Sequence, residues 1–229
     1  MVETNLPILY LREVVLFPYN EVRLEFTSDK DKNTLNISER LHESHLLLVN
    51  LLDPLEEVPQ INELPKIGIL GKIKSKIDLP NGITRVVISG IDRVEIVSYV
   101  EMNGILSSFV IPTKEYDYDE VEAAALRRVL YRKLDEYIDV SPYMSNTVLG
   151  RISDVKNISK LADIIVSELP LEYNDVLKYI EIINPMYRIR NIIEDLSKEI
   201  ETVISECTSG KHLPVHLEET VVERVISND

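Results

Sequence analysis

Between Ile67 and Tyr99 apolar and polar residues alternate over a distance that a long β-hairpin uses and a helix cannot. Ile69, Gly71, Ile73, Ser75 and Ile77 fall on one face of an extended strand. Leu79-Pro80-Asn81-Gly82 then supplies a turn, because Asn-Gly accepts the positive φ of a type I′ connection. Thr84 to Gly90 returns as the partner strand. Gly90 marks a bulge or bend, and Val94-Glu95-Ile96-Val97 continues past it.

Other strands surround this pair. Leu6-Pro7-Ile8-Leu9-Tyr10-Leu11 is apolar on both faces until Arg12, as in a strand within a closed sheet. Val22, Leu24 and Phe26 alternate with Arg23 and Glu25, so this strand shows one face to water. The two read as a first strand pair with Pro18 at the corner, since proline cannot donate to a ladder. Leu46 to Leu51 reads as a short buried strand, and Ile105 to Ile111 as one more before Pro112. One early helix, opened by Ser28-Asp29-Lys30-Asp31 and running to about His42, carries Leu35, Ser38, Leu41 and His42 on one face. Asp53 to Pro65, with Pro54, Pro59 and Pro65, reads as an acidic surface loop. About six strands with one helix predict a small barrel or a sharply curled sheet.

The period then changes. Glu115 to Glu120 is a charged link into a helix over Val121 to Ile138, with Ala124, Leu126, Val129, Leu130, Leu134 and Ile138 at helical spacing. Further helices are predicted over Tyr143–Ile152, Ser159–Glu168, from Pro170 with Val176, Leu177, Ile180 and Ile183 inward, and over Met186–Cys207. Strands followed by helices imply an α+β chain. Its divisions are a β subdomain over residues 1–115, a helical bundle over 116–206 ending in the long helix, and an extension over 207–229.

Chemistry is sparse by comparison. Gly71-Lys72 and Gly210-Lys211 lack both the earlier glycine and the following Ser or Thr of a phosphate-cradling loop. His42 and His45 are three apart rather than four; His212 and His216 are four apart but straddle Pro214, so no metal is expected. Asp117, Asp119, Glu120 and Glu122 are better used at the positive end of the next helix than on a cation. Glu56 and Glu57 are surface residues. Cys207 stands beside Glu206, which disfavours a nucleophile there, and as the single cysteine it allows no internal disulfide, which fits a reducing cytoplasm. No catalytic residue and no cofactor is expected. A net charge of −14 opposes nucleic acid, and no apolar run approaches the ~20 residues that cross a bilayer.

Binding remains. Eleven tyrosines and no tryptophan supply the aromatic surface. Most belong in packing, but Tyr10, and above all Phe17 and Tyr19 at the strand corner, are candidates for a groove that takes unfolded peptide.

Leu-Pro-x-Leu-x-Leu-Arg-x-x-Val-x-Phe-Pro, spelled by residues 6–18, resembles the opening of the N-terminal domain of Lon, the ATP-dependent protease. The resemblance continues through Leu79-Pro80-Asn81-Gly82 and Gly90-Ile91-Asp92-Arg93, similar to the family's Leu-Pro-x-Gly hairpin and Gly-x-x-Arg return. It extends through Leu161-Ala162-Asp163, Leu169-Pro170-Leu171 and the turn Ile183 to Ile189, and so covers about residues 6–206. Tyr10 stands where the family usually has proline, Tyr19 is atypical after Phe-Pro, and Thr208-Ser209-Gly210 stops a helix that the family continues.

The resemblance implies a PUA-like curled β-barrel followed by the bundle. It implies recognition of unfolded or damaged proteins for ATP-dependent proteolysis, and assembly through Lon-type protease subunits or self-association. No catalytic residue carries over, because the family's ATPase and serine–lysine protease modules lie elsewhere in the full chain. A free-standing adaptor, or a self-associating structural protein whose long helix drives assembly, is the alternative. An RNA-binding PUA-like module is the third, opposed by the acidic balance.

Overall fold

The computed structural model describes residues 3–54, 64–102, 104–114, 116–141 and 147–208. Expectations at Glu56, Glu57, Tyr143, Gly210-Lys211, His212 and His216, at the side chain of Cys207, and over the rest of the extension lie outside these residues. Among the described residues a six-stranded mixed sheet and six helices make an α+β chain.

The alternating stretch forms β4 (Ile67–Asp78) and β5 (Thr84–Met102), paired antiparallel from Asp78↔Thr84 to Ile67↔Glu95. Their connection differs from the type I′ expectation. Gly82 N–H closes the turn on Leu79 O (3.1 Å), with Pro80 second in the turn, and only Gly82 there has a positive φ, +80°. Proline locks its own φ near −65°, so the chain makes a type I-like turn and defers the left-handed step to the glycine.

β1 (Thr4–Leu11) and β2 (Glu21–Phe26) are not partners. β1 lies parallel to β3 (His45–Asn50) and antiparallel to β6 (Ile105–Pro112), while β2 pairs with β5. Sequence neighbours suggested a hairpin, but Glu13 at φ +60° and the turn at Pro18 carry the chain away from β1 first. The pairings run β2-β5-β4-β3-β1-β6, and β6 pairs again with β5. β5 serves three neighbours because a register shift opposite Leu70/Gly71 bends it beside Gly90: β2 pairs before the bend, β6 after it.

Leu6, Ile8, Leu47, Val49, Leu51, Leu64, Val94, Ile96 and Val110 form a buried cluster on this sheet. Each such side chain stabilises by about 1.5–3 kcal/mol. On α1 (Asp29–Leu41) the buried residues are Thr34, Leu35 and Ser38, while Leu41 is 74% exposed rather than inward.

The chain divides into two compact units. The first holds the described residues up to 114 together with Glu172–Glu181; the second holds the described residues of 116–171 and 182–208. Helix α5 (Tyr173–Glu181), assigned to the bundle from sequence, thus groups with the sheet. The second unit contains α2 (Glu120–Val140), α3 (Thr147–Ile152), α4 (Ile158–Val166) and α6 (Pro185–Thr208). Asp119 caps α2 through Val121 N–H, and Asn157 caps α4 through Lys160 N–H. Pro185 occupies the first turn of α6, where its missing N–H costs nothing. The buried stripe of α2 is Ala123, Leu130, Leu134 and Tyr137; the predicted Ala124 is exposed.

Candidate functional site

Phe17, Pro18, Tyr19 and Asn20 form a tight turn closed by Asn20 N–H on Phe17 O (3.3 Å). Pro18 presets the second position, and Tyr19, at φ +67°, takes the third, where glycine or asparagine is usual in a type II turn. Tyr19 N–H donates to Gly90 O and Gly90 N–H donates to Asn20 O, both at 2.9 Å. Two residues thus stand opposite one, the pattern of a bulge whose first position ordinarily prefers glycine. Gly90 has no latitude here. A Cβ on it would sit 2.3 Å from Phe17 O.

The three aromatic candidates have different surroundings. Phe17 is 1% exposed and lies under the Arg93 guanidinium, 5.8 Å from the ring centroid; it packs and offers no contact surface. Tyr10 is half-buried against the sheet cluster, opposite Val49 in the ladder. Tyr19 is 46% exposed. Of the predicted set, one side chain is presented to solvent, and its backbone is held in a conformation that costs an ordinary residue about 1–2 kcal/mol.

Beneath the corner Arg93, 3% exposed, donates from Nε to Ile180 O and from Nη2 to Tyr179 O, each at 3.1 Å. These carbonyls belong to the last turn of α5, where intrahelical partners run out and the helix end is partially negative. At the other end of α5, Tyr173 Oη donates to Leu51 O (2.8 Å). Asn50 Nδ2 reaches both Tyr173 Oη (3.4 Å) and Val14 O (2.7 Å). Burial pushes the Tyr173 phenol up, opposed by the Asn50 hydrogen bond.

In the second unit Arg188 Nη1 donates to Asp163 Oδ1 and Nη2 to Ser159 Oγ, both at 2.5 Å. Asp163 is fully buried and Arg188 is 1% exposed. The acidic cluster ahead of α2 is put to structural use: Asp119 caps the helix, and Glu122 pairs with Arg190, whose guanidinium lies over the Tyr187 ring. Among the described residues no group of three or more His, Cys, Asp or Glu could hold a metal, and no helix is long and apolar enough to cross a membrane.

A family model described as the ATP-dependent protease La (LON) substrate-binding domain matches residues 5–198. The chain belongs to that family. It is 28% identical over 221 residues to the Lon protease of Bacillus thuringiensis (strain Al Hakam), and 28% over 219 residues to Lon protease 1 of Bacillus subtilis (strain 168). Both matches cover 96% of this chain and 28% of the relative, so the chain spans little more than a quarter of those proteins. Among solved structures it resembles the N-terminal domain of Mycobacterium avium complex Lon protease, with a TM-score of 0.67 and 18% identity over 85% of this chain and 98% of that one. A Lon N-terminal domain protein from Xanthomonas campestris gives 0.56 and 16%, over 83% and 98%. These two likenesses establish the fold.

The residues by which the family was legible are fasteners in the fold. Gly90 admits the corner, Arg93 caps α5, and Asp163 with Arg188 ties α4 to α6. Sequence reading assigned Gly90 to a bulge or bend and quoted the other three without their roles. The signal was available for two: Asp163 interrupts the apolar run Leu161 to Val166, and Arg188 sits between Met186 and Ile189, so each places a charge on a buried stripe.

Proposed function

We propose that the chain is a non-catalytic recognition and assembly domain of a Lon-type, ATP-dependent protease system, engaging unfolded or damaged polypeptides in the cytoplasm. The observation that carries this reading is the family match over residues 5–198. The geometry supports it in a second way: the charged and glycine residues of the family pattern are consumed in holding the fold, which leaves exposed aromatic surface and backbone for contact. The ring of pairings β5-β4-β3-β1-β6-β5 fits a PUA-like curled barrel, with the bundle following as a separate subdomain. Partners of this kind are unfolded segments of other proteins, and Lon-type protease subunits or further copies of the chain.

Within that reading Tyr19 is the residue of the corner that touches substrate, with Tyr10 as a half-buried neighbour of the sheet cluster. The test uses a fluorescently labelled, permanently unfolded polypeptide and follows its anisotropy as the chain is added. Tyr19→Gly is expected to raise stability by up to about 1 kcal/mol by relieving the left-handed strain. The same change is expected to weaken binding several-fold. A wild-type chain that binds no unfolded polypeptide ends the functional reading. Wild-type affinity in Tyr19→Gly removes Tyr19 from the contact surface.

A further inference from the structure

β2 is the one strand with a single strand partner among the described residues: β1, β3, β4 and β6 each have two, and β5 has three. Which of its backbone groups face outward follows from the corner. Gly90 N–H donates to Asn20 O, so the antiparallel alternation assigns the hydrogen-bonded pairs to Val22–Ile88, Leu24–Val86 and Phe26–Thr84. The N–H and C=O groups of Glu21 and Glu25 therefore point away from β5, along the outer edge. Tyr19 stands at the head of that edge, exposed.

A row of outward N–H and C=O groups is a template for one kind of ligand, an extended polypeptide backbone. Such a ligand is recognised with little regard to its side chains, which is the chemistry a binder of unfolded chains needs. The side chains along the edge carry both signs: Glu21 and Glu25 flank Arg23, and Glu25 is held by Arg85 across the strand (2.6 Å). A second copy of β2 fits less well. In the full-length two-fold register centred on Arg23, Arg23 meets Arg23 and Glu21 meets Glu25, and like charges directly opposite destabilise a pair. A net charge of −14 also opposes the approach of two copies.

Resting on the functional reading above, we propose that unfolded polypeptide adds to the outer edge of β2 as a further strand, bonded through the backbone of Glu21 and Glu25 with Tyr19 at its end. The decisive variant is Glu25→Pro. It removes an outward N–H and fills the edge while leaving the bonds to β5 intact, since proline is tolerated on the solvent side of an edge strand. Glu25→Ala removes the same side chain and keeps the N–H.

With the labelled unfolded polypeptide, Glu25→Pro is expected to bind about ten-fold more weakly and Glu25→Ala within about two-fold of wild type. The amides of Glu21 and Glu25 are expected to exchange quickly in the chain alone and slowly with polypeptide present. Amide exchange on the wild-type chain decides the matter even where Glu25→Pro fails to fold. Equal losses in the Pro and Ala variants overturn the proposal, because the side chain would then be the contact. Slow exchange in the chain alone overturns it too, since the edge would already be paired. So does protection that appears with chain concentration and no ligand, the mark of a second copy. Undiminished binding by a folded Glu25→Pro overturns the edge alone, whereas no binding by wild type overturns the functional reading beneath it.

Discussion

Arg93 and Arg188 are both nearly inaccessible and are held in different ways. Arg188 meets a full opposite charge, the buried carboxylate of Asp163, with Ser159 on a second nitrogen. Arg93 donates to two carbonyls at the end of α5 and lies over the face of Phe17. The difference teaches what each unit loses when its arginine changes. Removing Asp163 strands a full charge in a low-dielectric interior, whereas removing Arg93 leaves the carbonyl dipoles at the end of α5 unsatisfied.

The largest effect is therefore expected in the second unit. Asp163→Leu leaves the Arg188 guanidinium buried without its carboxylate and is expected to cost about 3–5 kcal/mol. Adding Arg188→Met to it is expected to restore most of that loss, because a buried pair replaced by apolar side chains of similar volume is often neutral. Urea unfolding of the single and double variants reads both. A double variant as unstable as the single breaks the comparison, since geometry rather than charge would then be at stake.

Arg93→Met comes next, at about 1–3 kcal/mol, the cost of leaving buried acceptors unsatisfied. Its signature is local. The amides of α5 are expected to exchange faster than those of β4 and β5, because α5 loses the group that holds its last turn while Tyr173 still holds its first. A uniform loss across the first unit would show that Arg93 supports the sheet rather than the helix.

The same two arginines mark how far sequence reading reaches. The hairpin around Asn81 and the helical run from α2 to α6 were legible because period and turn chemistry are local. The return of α5 to the sheet was not. Leu177 and Ile180 announce a buried face but not what it packs against, and the Arg93 that donates to its carbonyls is 86–87 residues away in sequence. β1 and β2 looked like partners because they are adjacent in the chain, whereas pairing is decided by β3, β5 and β6. At the corner, Pro18 announced a turn, but the left-handed φ of Tyr19 goes with two bonds to a strand far along the chain, Tyr19 N–H to Gly90 O and Gly90 N–H to Asn20 O. Phe17 and Tyr19 read alike as aromatic residues beside a proline. Only the turn between them sends one inward and the other to water.

A third donor, half-buried, extends the comparison to its weakest step, a neutral group on a carbonyl. Tyr99 Oη donates to Pro65 O (2.7 Å), and burial, with Tyr10 nearby, pushes its phenol well above the ordinary value of 10.0. No charge is stranded when it is removed, so Tyr99→Phe is expected to cost only about 1 kcal/mol at neutral pH. Its pH dependence has a definite sign. The unfolded chain releases this proton near pH 10 while the folded chain keeps it, so the contribution is whole below pH 10 and declines as pH climbs toward the raised folded value. Wild type is therefore expected to lose stability above pH 10 more steeply than Tyr99→Phe, and denaturant midpoints measured from pH 8 to 11 read the two slopes. Equal slopes would mean that the folded chain lets the Tyr99 proton go as readily as the unfolded chain does, and the ranking of the three donors would lose its lowest member.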